Sequence, residues 1–150
     1  MAKIKREVIG ELNYRKYSIG RTYIGRFSHK GDLLKELTKF CIEEQLHMGI
    51  FHIIGSVQNG AIAYFNQNAK RYDRINLKKS LEIVSCNGNI SLKGGKPFIH
   101  GHILFSDSEG KTYGGHIMEN NIIYAGEFHI YEFIGDTLHR THDELTGLLL

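Results

Sequence analysis

Residues 94–116 constrain this chain more than any other stretch. They read Gly-Gly-Lys-Pro-Phe-Ile-His-Gly-His-Ile-Leu-Phe-Ser-Asp-Ser-Glu-Gly-Lys-Thr-Tyr-Gly-Gly-His. Two β-prone runs flank the turn signal Asp107-Ser108-Glu109-Gly110. Residues i and i+2 of a strand share a face, so His100 and His102 point the same way, about 6.6 Å apart along the strand. A three-residue loop over 108–110, with Gly110 left-handed, sets Asp107 against Lys111 and His102 against His116. Cross-strand Cβ atoms then lie about 4.5–5.5 Å apart, which brings three imidazoles within reach of one metal ion. A two- or four-residue loop would instead set His102 against Gly115 and turn His116 to the other face. The chain holds nine His, so a His-x-His pair also arises by chance, and ordinary strand histidines are the competing reading.

The length of 150 residues suits one domain with a sizeable core. Seventeen Gly against a single Pro point to tight turns and close backbone approaches rather than to linkers. Eight Tyr and eight Phe with no Trp fit a β-rich interior. The net charge of +3 is short of the strongly basic footprint of a nucleic-acid binder. Cys41 and Cys86 form neither a disulfide framework nor a Cys-x-x-Cys clip, and read as buried thiols in a reducing compartment. No apolar run is long enough for a signal peptide or a membrane span, so the expected location is the cytoplasm, with no membrane partner.

Along the chain, residues 1–20 are polar and mixed, an arm or short strand ahead of a domain over 21–150. Asp32 is placed to cap an amphipathic helix whose apolar stripe is Leu33, Leu34, Leu37, Phe40 and Cys41, with Gly49 placed to stop it. Strands are expected over 50–57 and 61–65 with a turn at Asn59-Gly60, then over 81–90 with a break at Gly88 and Gly94-Gly95. Residues 66–79 read as a polar, basic connection. The hairpin follows, then a long strand over 122–133 and a polar tail. Six or seven strands with one main helix make a single α+β domain with a mainly antiparallel sheet.

Several of these pieces resemble the PPC domain, the plants and prokaryotes conserved family. Phe27-Ser28-His29-Lys30-Gly31-Asp32-Leu33-Leu34 is similar to its opening, and residues 81–90 to its central strand. Residues 95–102 with Gly114-Gly115-His116 resemble its signature hairpin, and Thr146-Gly147-Leu148 its close. The resemblance implies a strongly curved sheet and assembly as a homotrimer. It also implies a metal site held in some prokaryotic members by three histidines, here His100, His102 and His116. In plants the domain follows an AT-hook that enters the DNA minor groove, but this chain has no Arg-Gly-Arg. The plant partner-recruiting segment Gly-Arg-Phe-Glu-Ile-Leu aligns with residues 79–84, where Glu82 and Ile83 alone match outright.

Three neutral imidazoles without a fourth protein ligand leave coordination positions open, and zinc or another divalent transition metal suits them. One reading is a binding protein with a regulatory or DNA-binding role, taking a small-molecule ligand, a partner or DNA. The alternative is a zinc-dependent hydrolase or lyase, which needs a general acid or base beside the metal. Glu82, Glu119 and Glu127 are the candidates for that role, none of them placed by the sequence. The segment Lys70-Arg71-Tyr72-Asp73-Arg74 with Lys78-Lys79 is the candidate DNA contact, with Tyr72 as a stacking residue and a solvated loop as the bland alternative.

Overall fold

The computed structural model describes residues 13–150, so most of the expected N-terminal arm lies outside the described residues. Seven antiparallel strands and one helix follow in the order β1 (Ser18–Arg26), α1 (Leu33–Glu43), β2 (Gly49–Asn66), β3 (Arg71–Leu77), β4 (Leu81–Lys93), β5 (Lys96–Ser106), β6 (Thr112–Ile117) and β7 (Ile122–Ile134). The α+β expectation holds. No described helix is long and apolar enough to cross a membrane.

The organising element is β2, 18 residues long. One of its edges carries β4 and then β3, and the other carries β7 and then β6. Because β4 also pairs β5, and β5 pairs β6, the strands β2, β4, β5 and β6 close into a hydrogen-bonded ring. The ring is sealed where Ile62 and Ala63 of β2 meet Ile117 and His116 of β6. Gly115 permits that approach, since a Cβ there would sit 2.7 Å from the carbonyl oxygen of Ala63. Backbone cannot yield as a side chain can, so only hydrogen fits.

The interior holds Phe51, Ile53, Val57, Ile83, Cys86, Ile90, Ile103, Phe105, Ile117, Ile123 and Ile130, all buried. The helix adds Leu33, Leu37 and Cys41 to this core at 0% exposure, with Leu34 and Phe40 packed partly buried beside them. Asp32 caps it as its sequence predicts: Oδ1 accepts from the N–H groups of Leu34 and Lys35, 3.1 Å each. Burial pushes the Cys41 and Cys86 thiols up to about 12, so both are inert core residues.

Four sequence expectations are corrected. Asn59-Gly60 is no turn, because β2 runs through it; a Cβ on Gly60 would lie 3.0 Å from both Leu81 and Phe105. Residues 71–77 are strand β3, hydrogen-bonded to β2, rather than a connection. The helix ends at Glu44 with Gln45 at φ 51°, and Gly49 instead opens β2, where a Cβ would lie 2.5 Å from the Tyr131 carbonyl oxygen. Gly88 does not break β4; it faces Gly101 of β5, and the pair of missing side chains lets the two strands pass close over Phe51. Gly94 and Gly95, at φ 57° and 76°, form the two-residue turn between β4 and β5.

Candidate metal centre

The β5–β6 hairpin takes the register that groups the histidines. His102 pairs with His116, Leu104 with Gly114 and Ser106 with Thr112. The turn is fixed by its own chemistry. Asp107 N–H donates to the Lys111 carbonyl at 3.0 Å, Asp107 Oδ1 accepts from the N–H groups of Glu109 and Lys111, and Gly110 sits at φ 79°. Lys79 and Tyr113 hold the other carboxylate oxygen at 2.7 and 3.0 Å. Along β5, Ile99, Gly101, Ile103 and Phe105 are buried while the intervening residues face outward. His100, His102 and His116 therefore stand together on the outer surface of the ring, away from the core.

Each of the three offers a ring nitrogen, and these atoms all lie within 4.8 Å of one another. The ring centroids are 5.4 to 5.8 Å apart. The site is graded in exposure: His102 is open to solvent, while His100 and His116 are partly buried. Tyr72 of β3 stacks on His116 from across the seam, with centroids 4.4 Å apart. Burial above all, then the charge of Arg140 and the neighbouring His102, holds His100 below the usual imidazole range. Burial, then His100 and His102, pushes His116 down to about 4. Both are neutral at pH 7, the form in which imidazole binds a metal.

This donor set fits a transition-metal ion. Nδ1 of His116 is buried without a hydrogen-bond partner among the described residues. Buried polar atoms are nearly always satisfied, and a cation coordinated at this nitrogen would satisfy it. All three donors are imidazole, the ligand type that suits zinc, copper, iron and nickel.

The carboxylates considered for catalysis stand elsewhere. Glu82 is exposed on β4 opposite Ser106. Glu119 pairs with Lys35 of α1 at 3.2 Å, and Glu127 faces Arg26 of β1. Among the described residues no carboxylate joins the three-histidine cluster. The basic segment is likewise engaged: Arg71 bonds Asp73, Arg74 donates to the Glu119 carbonyl, Lys79 holds Asp107, and Tyr72 covers His116.

Several residues at the site are invisible in the sequence pattern. A cavity of about 240 Å³ opens beside His100 and His116, walled by Phe65, Tyr72, Phe98 and residues 147–150. Arg140, in the polar tail, is half-buried rather than a surface group. It donates to Asn89 Oδ1 at 2.6 Å, Ser91 Oγ at 3.0 Å and the Leu149 carbonyl at 3.0 Å, tying the tail to β4. For the tail, the sequence signals are the apolar end Leu148-Leu149-Leu150 after a polar stretch and the family-like Thr146-Gly147-Leu148, while Tyr72 stands out only as a candidate nucleic-acid contact.

The same architecture occurs in solved structures. A metal-containing protein from Archaeoglobus fulgidus is 32% identical, with 93% of this chain and 98% of that one aligned at a TM-score of 0.88. A plant- and prokaryote-conserved (PPC) protein from Pyrococcus horikoshii is 35% identical over 93% of this chain and 96% of that one, also at 0.88. A protein from Bacteroides thetaiotaomicron, described conjecturally as DNA-binding, is 28% identical over 89% and 95% of the two chains at 0.80. In sequence, the chain is 27% identical to the bifunctional protein GlmU of a Synechococcus strain over 131 residues, which are 86% of this chain and a fifth (20%) of that protein's length. The profile of the Plants and Prokaryotes Conserved (PCC) domain matches residues 14–134, from the segment before β1 to the end of β7. With the ring and its hairpin matched throughout, the chain belongs to the PCC domain family.

Proposed function

We infer that this protein is a metal-containing binding module, a homotrimer whose His100, His102 and His116 hold zinc or a similar divalent ion that takes a small-molecule ligand. The observation that carries the reading is the convergence of three imidazole donors within 4.8 Å, one of them with an unsatisfied buried nitrogen. Three protein ligands leave a position open, and an ion held so polarises a carbonyl or acidifies a bound water. The residues of the chain orient the imidazoles through the hairpin register, and Tyr72 keeps water from one side of His116. With no carboxylate in the group, binding is favoured over a hydrolase or lyase activity. The similarity to a metal-containing archaeal protein supports the metal.

Assembly is supported by the outward face of β2, β4 and β5, where Ile50, Ile54, Val84 and Leu104 are exposed. Apolar groups gathered on one face of a sheet favour association. The number three follows the family resemblance. A regulatory role through DNA is the second reading, favoured by the similarity to the Bacteroides protein. It predicts affinity that falls steeply with salt.

Elemental mass spectrometry on tag-free protein, beside the triple substitution of His100, His102 and His116 to Ala, tests the centre. About one transition-metal ion per chain, lost in the variant, is the expected result. A metal-free protein, purified with metals supplied, would sink the reading.

A further inference from the structure

The cavity beside the cluster has a definite chemistry. Three of its walls are aromatic: Phe65, Tyr72 and Phe98. Phe65 and Tyr72 meet edge to face with centroids 5.0 Å apart, so their faces are fixed. Among the described residues no acidic side chain lines it, whereas Lys70, Arg71, His100 and His116 do. Arg71 is neutralised by Asp73 at 3.1 Å. Lys70 is not so matched: its stem lies against Gly147 and its ammonium donates to the Glu144 carbonyl at 2.8 Å, a neutral acceptor. Arg140 does not line the cavity but touches two residues that do, its guanidinium carbon 5.9 Å from the Phe98 ring and its Nη1 bonded to the Leu149 carbonyl. Its hydrogen bonds also go to neutral acceptors, so a half-buried positive charge stands there without a carboxylate among the described residues. A buried charge of this kind is costly unless paired.

Aromatic faces accept a flat ring by offset or edge stacking. Two cations with no acidic side chain paired to them among the described residues accept an anion, most strongly a carboxylate that can take charge-assisted hydrogen bonds. The volume of about 240 Å³ lies below the roughly 300–1,000 Å³ of drug-sized sites, which limits the occupant to a single ring. We propose that this cavity binds a small aryl carboxylate, its ring between Tyr72 and Phe98 and its carboxylate turned toward the Lys70 and Arg140 side and the histidine cluster. The inference rests on reading the histidine cluster as a ligand-binding centre, and it names the ligand class.

Benzoate is the probe, with benzyl alcohol as its uncharged counterpart, titrated into ¹⁵N-labelled full-length protein by two-dimensional NMR. Metal content is measured on the same sample. The expected result is saturable benzoate binding, at least about tenfold tighter than benzyl alcohol as one charge-assisted contact provides. The shifts should centre on Tyr72, Phe98 and residues 148–150. Phe98→Ala should weaken benzoate about tenfold, the loss expected of one buried aromatic contact, with the metal retained. In case that variant misfolds, contacts between benzoate ring protons and the Phe98 ring in the unaltered protein give a second readout. Equal affinity for the two probes, or shifts centred elsewhere, would overturn the proposal. Benzoate binding by a metal-free sample would uphold the cavity while removing the metal, so the two readings fail separately.

Discussion

Tyr72 lies flat against His116, with ring centroids 4.4 Å apart and planes 29° from parallel. The two residues come from β3 and β6, which never pair with one another; each is placed by its own ladder to β2. The tyrosine is thus the lateral cover of the least solvated imidazole of the cluster.

That cover sets how His116 titrates. Burial is the largest cause of its descent to about 4, ahead of His100 and His102. In metal-free protein, Tyr72→Ala should raise the His116 pKa toward the ordinary value of about 6.5, whereas Tyr72→Phe should leave it low. Imidazole proton shifts followed against pH distinguish the two.

The seam of the ring tolerates one kind of residue. Gly115→Ala drives a methyl group into the Ala63 carbonyl and should cost about 1–3 kcal/mol. Gly114→Ala meets the end of the Leu104 side chain at 3.3 Å and the Ile103 carbonyl oxygen at an ordinary 3.6 Å, and should cost less. Thermal melts of the pair measure the difference, and metal content should fall with Gly115→Ala alone, since His116 is the next residue.

Asn121 secures the passage from β6 to β7. Fully buried, it accepts from Ala61 N–H at 2.8 Å and donates to the carbonyls of Ala61 and Met118 at 3.0 and 2.6 Å. Asn121→Ala orphans these groups, at about 1–3 kcal/mol for each one left buried without a partner. Chemical denaturation should show a lower midpoint with an unchanged slope.

Acid should act on the hairpin turn. The Lys79 ammonium, with the N–H groups of Glu109 and Lys111 and the Tyr113 hydroxyl, holds Asp107 far below the usual carboxylate range. A depressed folded-state pKa contributes stability above the unfolded value of about 3.9, lost as pH falls below it. The unaltered protein should therefore lose stability more steeply than Asp107→Asn below about pH 4, and the two curves should run parallel at neutral pH. Melting temperatures across that range give the comparison.

An ion held by the three histidines, as proposed, would brace the fold, and its removal should loosen it. An ion present at about a hundred times its Kd adds about 2.7 kcal/mol. For a domain of this size, chelation should lower the melting temperature by about 5–10 °C. The triple histidine variant should show no such response to chelator.

The hairpin is legible in the sequence, but its histidines group only for a three-residue loop, and the Asp107 and Gly110 turn selects that loop over the two- and four-residue alternatives. The helix is legible from local rules, with Asp32 at one end and a clear apolar stripe after it. What escapes is decided at long range. Asn59-Gly60 has the composition of a turn, yet the packing of Leu81 and Phe105 on Gly60 holds it in a strand. Strand β3 is filled with Arg71, Asp73, Arg74 and Asn76 and is exposed along most of its length, so it carries no alternation to read. Arg140 reads as one more charge in a polar tail, because its partners on β4 lie some fifty residues earlier.

The closed ring also decides where this protein is open to aggregation. Unpaired strand edges are the templates on which other chains add. Every member of the ring has neighbours on both sides for at least part of its length, which leaves β1 and β3 as the outermost strands. β3 is only seven residues long and carries Arg71, Asp73 and Arg74, the charged, short form of edge that resists cross-chain pairing. The fold thus confines its open edges to β1 and to the short, charged β3, whose Tyr72 is itself occupied against His116.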